Sequence, residues 1–502
     1  GSGFPALLAS ARTKLEAEPN SRFWSLPGAY FGSGPASGKL GVLFPGQGSQ
    51  RVGMLRDLSC TFPAMLESLN EAEGDWRNPK RLADFIYPHS AFSSDAQTAN
   101  DTSLRATEIA QPALGAVNLG AWRTLQYFGV TAHAFAGHSY GELVALCAAG
   151  AYSPTELHEL SRERGGLMAS FQGNDAGTML AVLAPLGEIE KVLNEERLSL
   201  VIANRNSPTQ NVLSGTTAEI ERAELIFQKR RLRCTRLPVA AGFHSPLVAR
   251  AKQPFQACLE SVEIRVKSVP VFANLNASKY PDDPNDTREW LAEQLAQPVE
   301  FVKLIENMAG DGIRTLIEVG PGSVLTRLAE ATLAAKPEFT DCDCIALDAS
   351  SGKKSGLVDL ANLLARLAAR GHAVDLRAWE AGQKYPVSQA KPGLTVPITG
   401  ANYVRPKPVK PKPLPKKPSA SVPQPERPPQ RTLMNEPLPK PPDSSTSPAG
   451  MSAALAITQQ SLLAFQRMQE ETAKLHKQFL ENQHSALATL QALVAQQQSL
   501  LM

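Results

Sequence analysis

Between residues 39 and 350, short apolar runs of strand length alternate with stretches of helical periodicity, and this alternation narrows the fold more than any other feature of the 502-residue chain. Lys39-Leu40-Gly41-Val42-Leu43-Phe44 reads as a buried strand running into a Gly-rich turn. Residues 110–127 carry helical periodicity, and 132–136 form a second short strand. Further strands are predicted over 269–273 and 315–319, with helices over 287–296 and 299–308. Such alternation calls for an α/β fold, a mostly parallel sheet covered by helices. One stretch departs from it: strand 178–184, helix 186–196, strands 199–204 and 211–214, helix 218–231 and strand 234–239. That order, βαββαβ, predicts a small ferredoxin-like subdomain over about 176–240, inserted into the larger one. The insertion ends just before Gly242-Phe243-His244-Ser245-Pro246, which places that segment on the wall of an interdomain cleft.

Composition marks where the globular part stops. Residues 404–448 hold 15 of the 39 prolines and nine Lys or Arg against three acids, a net +6 in a chain whose total is +3. With little to bury, residues 404–449 are expected to be an extended, semi-rigid tether. The remainder carries about −3 and offers no broad basic face for nucleic acid. After Gly450, Phe465, Met468, Leu475, Phe479, Ala486, Leu490, Leu493 and Leu500 fall near a 3.5-residue spacing, with Thr472, Asn482 and Gln497 in the gaps. Residues 450–502 therefore form either a coiled coil able to self-associate or a lone amphipathic helix on the globular part. No run reaches the ~18 apolar residues of a membrane span, and no signal-peptide pattern opens the chain. The six scattered cysteines suit reduced thiols; the expectation is a cytoplasmic protein with no membrane contact and no metal.

Gly137-His138-Ser139-Tyr140-Gly141 has the G-x-S-x-G form between a predicted strand and a predicted helix over 142–149. In that setting a tight turn presents the Ser139 hydroxyl at the carboxyl edge of the sheet. A nucleophilic serine needs a base, and eight histidines are available. His244 stands out because a strand ends just before it at the expected cleft, although a lone histidine also suits a packing role. His138 abuts the serine, and the turn points it away.

At this point the motifs resemble a family. Phe44-Pro45-Gly46-Gln47-Gly48-Ser49-Gln50 and Gly137-His138-Ser139-Tyr140-Gly141-Glu142 are similar to the malonyl-CoA:acyl carrier protein transacylases and to the acyltransferase domains of polyketide and polyunsaturated fatty acid synthases. Ala110-Gln111-Pro112-Ala113, Arg164-Gly165 with Met168, and Ala203-Asn204-Arg205-Asn206-Ser207-Pro208 follow in the family's order. So do Phe243-His244-Ser245-Pro246, Gln294 with Pro298-Val299, and Glu318-Val319-Gly320-Pro321-Gly322. The resemblance spans roughly residues 39–335.

The resemblance implies an α/β-hydrolase-like larger subdomain over 39–350 with the ferredoxin-like insert. It implies Ser139 as nucleophile, His244 as base, and the backbone N–H groups of Gln47 and Tyr140 as the oxyanion hole. Arg164 matches the arginine that holds the substrate's free carboxylate. Gln294, Phe243, His138 and Asn204 match residues that line or support the site, Phe243 in the malonyl-selecting form. No bound cofactor is implied: malonyl-CoA is the substrate and the phosphopantetheine of an acyl carrier protein the acceptor. Residues 1–38 and 351–403 resemble the linkers that flank such domains, Tyr403 packing back on the core, which makes other synthase domains partners. Three rival readings stand beside this one: a methylmalonyl- or acetyl-loading enzyme, a serine thioesterase, and a non-catalytic scaffold that docks carriers. The thioesterase would need an acid between nucleophile and histidine and an HGGG-type loop, and no such loop is present.

Overall fold

The computed structural model of the chain describes residues 3–74, 76–170, 175–239 and 241–380. The predicted tether, the terminal helix and Tyr403 lie outside the described residues.

A short antiparallel hairpin, β1 (Phe23–Leu26) and β2 (Ala29–Gly32), precedes the main sheet. That sheet is formed by β3 (Lys39–Phe44), β4 (Ala134–Gly137), β9 (Val271–Phe272), β10 (Ile313–Glu318) and β11 (Asp343–Ala346). The strands are all parallel, in the order β11-β10-β3-β4-β9. A parallel sheet must be covered on both faces, and β3 shows how its alternation achieves this. Leu40, Val42 and Phe44 enter one core with Val117, Leu143 and Val144 from the helices Thr107–Tyr127 and Gly141–Ala148. Leu43 points the other way, into a core with Phe301, Leu304 and Leu325 from the helices Phe301–Gly310 and Val324–Ala334. Each such side chain contributes about 1.5–3 kcal/mol by leaving water. Because the strands are parallel, Phe44, Gly137, Phe272 and Glu318 all end at one edge of the sheet. In open α/β sheets that carboxyl edge is where ligands sit.

The insert is β5 (Thr178–Leu183), helix Leu186–Glu195, β6 (Val201–Ser207), β7 (Gln210–Gly215), helix Thr217–Lys229 and β8 (Arg233–Arg236). Its sheet is antiparallel in the order β6-β7-β5-β8, the ferredoxin-like order, around its own core of Leu180, Val182, Ile189, Leu213, Ile220 and Phe227. Two boundaries differ by three residues from those predicted, the others by two or fewer. β8 stops at Arg236 rather than 239, since Pro238 has no N–H to continue a ladder. β6 runs on to Ser207 because its hairpin with β7 continues to Ser207 opposite Gln210, and Val299 joins its other side from a distant segment: Val299 N–H donates to Ala203 O and Arg205 N–H to Val299 O, both at 2.9 Å.

The two flanking segments pack on each other. The Tyr30 hydroxyl donates to Asn362 Oδ1 at 3.2 Å, and the Arg370 guanidinium stacks 3.5 Å from the Phe23 ring centre. The helix Gly356–Ala369 buries Leu360, Leu363, Leu364 and Leu367 in the main core.

Candidate active site

β4 ends at Gly137 and the next helix starts at Gly141, so three residues make the turn. Ser139 takes φ = +51°, a left-handed conformation that costs a non-glycine residue about 1–2 kcal/mol. Surrounding contacts hold it there. The Ser139 N–H donates to Asn274 Oδ1 at 2.6 Å, and Gln294 Nε2 donates to Ser139 O at 3.0 Å. The two glycines of the motif are required by close approach. A Cβ on Gly137 would lie 2.0 Å from the Gly141 carbonyl carbon, and one on Gly141 would lie 2.0 Å from Phe44 O.

Ser139 Oγ and His244 Nε2 are 2.7 Å apart. On the far side of the ring, Nδ1 lies 3.1 Å from both Gln294 O and Gln297 O. Carbonyl oxygens only accept, so Nδ1 carries the proton and the Nε2 lone pair faces the serine. Among the described residues no carboxylate orients this histidine; two peptide carbonyls do. His244 is 3 % exposed, and burial, then the Arg164 charge and then His138, pull its pKa down to about 3. The imidazole is neutral throughout the physiological range.

Arg164, on the helix Pro154–Ser170, is 1 % exposed. Its Nη1 donates to Gln111 Oε1 at 2.9 Å and its Nη2 to Gln294 Oε1 at 3.2 Å, while Nε has no partner. Burial lowers its pKa to about 10, which leaves it charged. Among the described residues no carboxylate lies within ion-pair distance of it. Glu142 is near enough to be felt, and burial raises that carboxyl to about 8. A buried guanidinium without a counterion is an expensive arrangement, and it favours any anion that enters beside it.

The loop after β3 lies against the elbow. A Cβ on Gly46 would fall 2.2 Å from His138 O and 3.2 Å from Tyr140 N. Neither the Gln47 nor the Tyr140 backbone N–H donates within the described residues. The Gln47 side chain is held by donating to Thr107 Oγ1 at 3.1 Å and accepting from Gln111 Nε2 at 3.3 Å. Gln47, Gln111, Ser139, Arg164 and His244 line a cleft of about 220 Å³ between the sheet edge and the insert, together with Phe243, Asn204, His138, Met179, Val212 and Leu328.

Every residue that the resemblance assigned to the site thus meets at this cleft or directly behind it. His138 is the one whose placement differs. It lines the cleft instead of turning from it, because β6 brings Asn206 Oδ1 to 2.7 Å from its Nε2 and Phe301 packs edge-on to its ring. Gln294 serves twice, through its carbonyl to His244 and through its amide to Arg164 and Ser139. Asn274 escaped the sequence reading. The only local signal for it was its place just past a predicted strand, at the edge where Ser139 stands. Among the described residues, no group of His, Cys, Asp and Glu is arranged to hold a metal, and no helix is long and apolar enough to cross a membrane.

Fold and site together define an α/β acyltransferase carrying a ferredoxin-like insert. The chain belongs to the acyl transferase domain family, whose match covers residues 42–367. It is 34% identical over 297 residues to the malonyl CoA-acyl carrier protein transacylase of Bacillus subtilis (strain 168), covering 58% of this chain and 90% of that enzyme. It is 32% identical over 321 residues to the spectinabilin polyketide synthase system protein NorB of Streptomyces orinoci, covering 64% of this chain. Against one of the polyunsaturated fatty acid synthase proteins of Thraustochytrium the identity is 29% over 334 residues, again 64% of this chain. The chain spans only 14% and 11% of those two synthase proteins. Among solved structures, the acyltransferase domain from the second module of the salinomycin polyketide synthase superposes with a TM-score of 0.62 at 28% identity, covering 76% of this chain and 84% of that one. A type II polyketide acyl carrier protein bound to its malonyl-transacylase gives a TM-score of 0.56 at 27% identity, covering 64% of this chain and 99% of that one.

Proposed function

We propose that the chain moves a malonyl group from malonyl-CoA, through an ester on Ser139, to the phosphopantetheine thiol of an acyl carrier protein, as one domain of a larger synthase. The observation that carries this reading is Arg164: a buried, charged, incompletely paired guanidinium in the cleft that holds Ser139. A guanidinium fork binds a carboxylate through two parallel hydrogen bonds, and malonyl carries a free carboxylate where acetyl has none. Phe243, nearly buried on the cleft wall, supports malonyl over methylmalonyl, although one methyl in a pocket is worth only ~1–3 kcal/mol.

In the first half-reaction Ser139 Oγ attacks the thioester carbonyl as its proton passes to His244 Nε2. The Gln47 and Tyr140 N–H groups receive the charge that develops on the carbonyl oxygen. Coenzyme A leaves as the thiol with the proton from His244, and the malonyl ester remains. In the second half-reaction the pantetheine thiol gives its proton to His244 and its sulfur attacks the ester. Ser139 Oγ departs and recovers the proton. The two peptide carbonyls on Nδ1 hold the ring in the same tautomer at each start, so a ping-pong exchange needs no rearrangement of the base.

The test is intact mass after brief incubation with an equal mixture of malonyl-, methylmalonyl- and acetyl-CoA. A malonyl adduct is expected. An acetyl adduct in its place would remove Arg164 from the substrate site. Release of coenzyme A without any adduct would favour a thioesterase.

The depressed pKa of His244 gives a further prediction. A base must be deprotonated to act, and a histidine at its usual 6.5 would lose most of its activity by pH 5.5. Here burial and Arg164 keep the ring neutral well below that. The acylation constant for free enzyme and malonyl-CoA is expected to stay flat from pH 8 to about 5. A bound malonyl carboxylate neutralises Arg164 and so favours protonation of His244. The inflection for the saturated complex therefore lies at higher pH than that for the free enzyme. Single-turnover rates across this range check both points, and a free-enzyme inflection near 6.5 would contradict the first.

A further inference from the structure

We propose that Asn274 is a positioning residue for this acyl transfer, clamping Ser139 in its left-handed conformation and withholding the Ser139 N–H from the substrate carbonyl. The proposal rests on Ser139 being the nucleophile.

Asn274 is fully buried, two residues beyond the end of β9, at the sheet edge where the elbow stands. Its Oδ1 accepts from the Ser139 N–H at 2.6 Å, and its Nδ2 donates to Gly137 O at 2.6 Å. In a parallel ladder, a residue bonds the C=O before and the N–H after the residue opposite. Gly137 O and Ser139 N–H are that pair for His138. β9 has only two residues and pairs with β4 at Phe135 and Ala136. The Asn274 amide, with acceptor and donor side by side, therefore extends the ladder past the point where the strand stops.

The asparagine is itself anchored. Its N–H points at both oxygens of Glu142 at 3.3 Å, and its C=O accepts from the Glu300 N–H at 2.9 Å. Glu142 is fully buried and also receives the Tyr280 hydroxyl. One loop thus grips the chain before, at and after the elbow: Gly137, Ser139 and Glu142.

Two consequences follow for chemistry. A non-glycine residue at φ = +51° persists only when its surroundings over-determine it, and Asn274 supplies that constraint. With the Ser139 N–H occupied, the free donors beside the serine are those of Gln47 and Tyr140. The carbonyl oxygen is thereby directed to one position, and Oγ remains in line with His244 Nε2.

Single-turnover acylation by malonyl-CoA, followed by intact mass, gives the limiting rate. Calorimetry on the same variants in a Ser139→Ala background gives the Kd for malonyl-CoA. All measurements are made well below each variant's melting temperature, so reduced stability alone changes neither value. For Asn274→Ala the limiting rate is expected to fall about 10²-fold, the scale set by misplacing a reacting group by about 1 Å. The Kd is expected to stay within about twofold. Asn274→Asp keeps the shape and the acceptor for Ser139 but sets an oxygen against Gly137 O. It provides the same test should the alanine variant fail to fold, with an expected loss of about tenfold in rate and no change in Kd. A limiting rate within about twofold of wild type, or a loss expressed in Kd, overturns the proposal. The Ser139→Ala protein separates the two readings. If it forms no adduct while the Asn274 variants acylate normally, only the clamp is wrong. If it forms the adduct itself, the nucleophile assignment fails and the clamp with it.

Discussion

Ser139→Ala is expected to form no malonyl adduct on incubation with malonyl-CoA and to transfer nothing to a carrier protein. The effect should be the largest of any single substitution, on the order of 10⁶-fold if the residue acts as the nucleophile of a covalent mechanism. The reason is geometric. Oγ is the atom 2.7 Å from the lone pair of a neutral imidazole, on an elbow that two glycines and two amide side chains hold in place. Alanine removes that atom and leaves the hydrogen bonds made by the Ser139 backbone untouched. The variant should therefore fold and still bind malonyl-CoA. Intact mass and calorimetry on the same sample check both statements. An adduct of unchanged mass in the alanine protein would refute the nucleophile, and lost binding would point to a structural role instead.

Arg164→Ala is expected to lower acylation by malonyl-CoA about 10- to 150-fold relative to acetyl-CoA, the kinetic equivalent of losing a charge-assisted pair worth about 1.5–3 kcal/mol. The ratio is the informative quantity. The guanidinium also supports Gln111 and Gln294, and Gln294 in turn bonds Ser139 O, so some rate is lost for every acyl group. Only a carboxylate contact makes malonyl lose more than acetyl. Competition between the two thioesters, read by intact mass, gives the ratio directly. Equal losses would mean that Arg164 braces the site without touching the substrate. The same substitution removes a positive charge that disfavours protonation of His244, so the acylation profile of the variant should shift to higher pH.

Much of this was legible without coordinates. Strand and helix periods are local, and β3, the βαββαβ insert and the helices around the sheet emerge from them almost where they stand. The G-x-S-x-G turn is likewise local, since its glycines are set by neighbours one or two residues away. Strand ends also pointed to His244, which follows the last strand of the insert. Other features depend on residues far apart in sequence. Val299 pairs with β6 from nearly a hundred residues away, and Asn206 of β6 meets the His138 ring at the cleft. No pattern around Arg164 states that it is buried without a counterion, because that depends on what distant segments, among them those of Gln111 and Gln294, place beside it.

The sequence by itself marked β3, β4, the βαββαβ insert and the elbow around Ser139, because each is written in spacings of a few residues. Only the tertiary structure decided how that serine and its histidine are held. The orienting carbonyls of Gln294 and Gln297, the amide of Asn274 and the unpaired charge of Arg164 reach the site because parallel strands end at one edge. Those contacts are set by the packing of elements distant in the chain, and local periodicity carries no record of them.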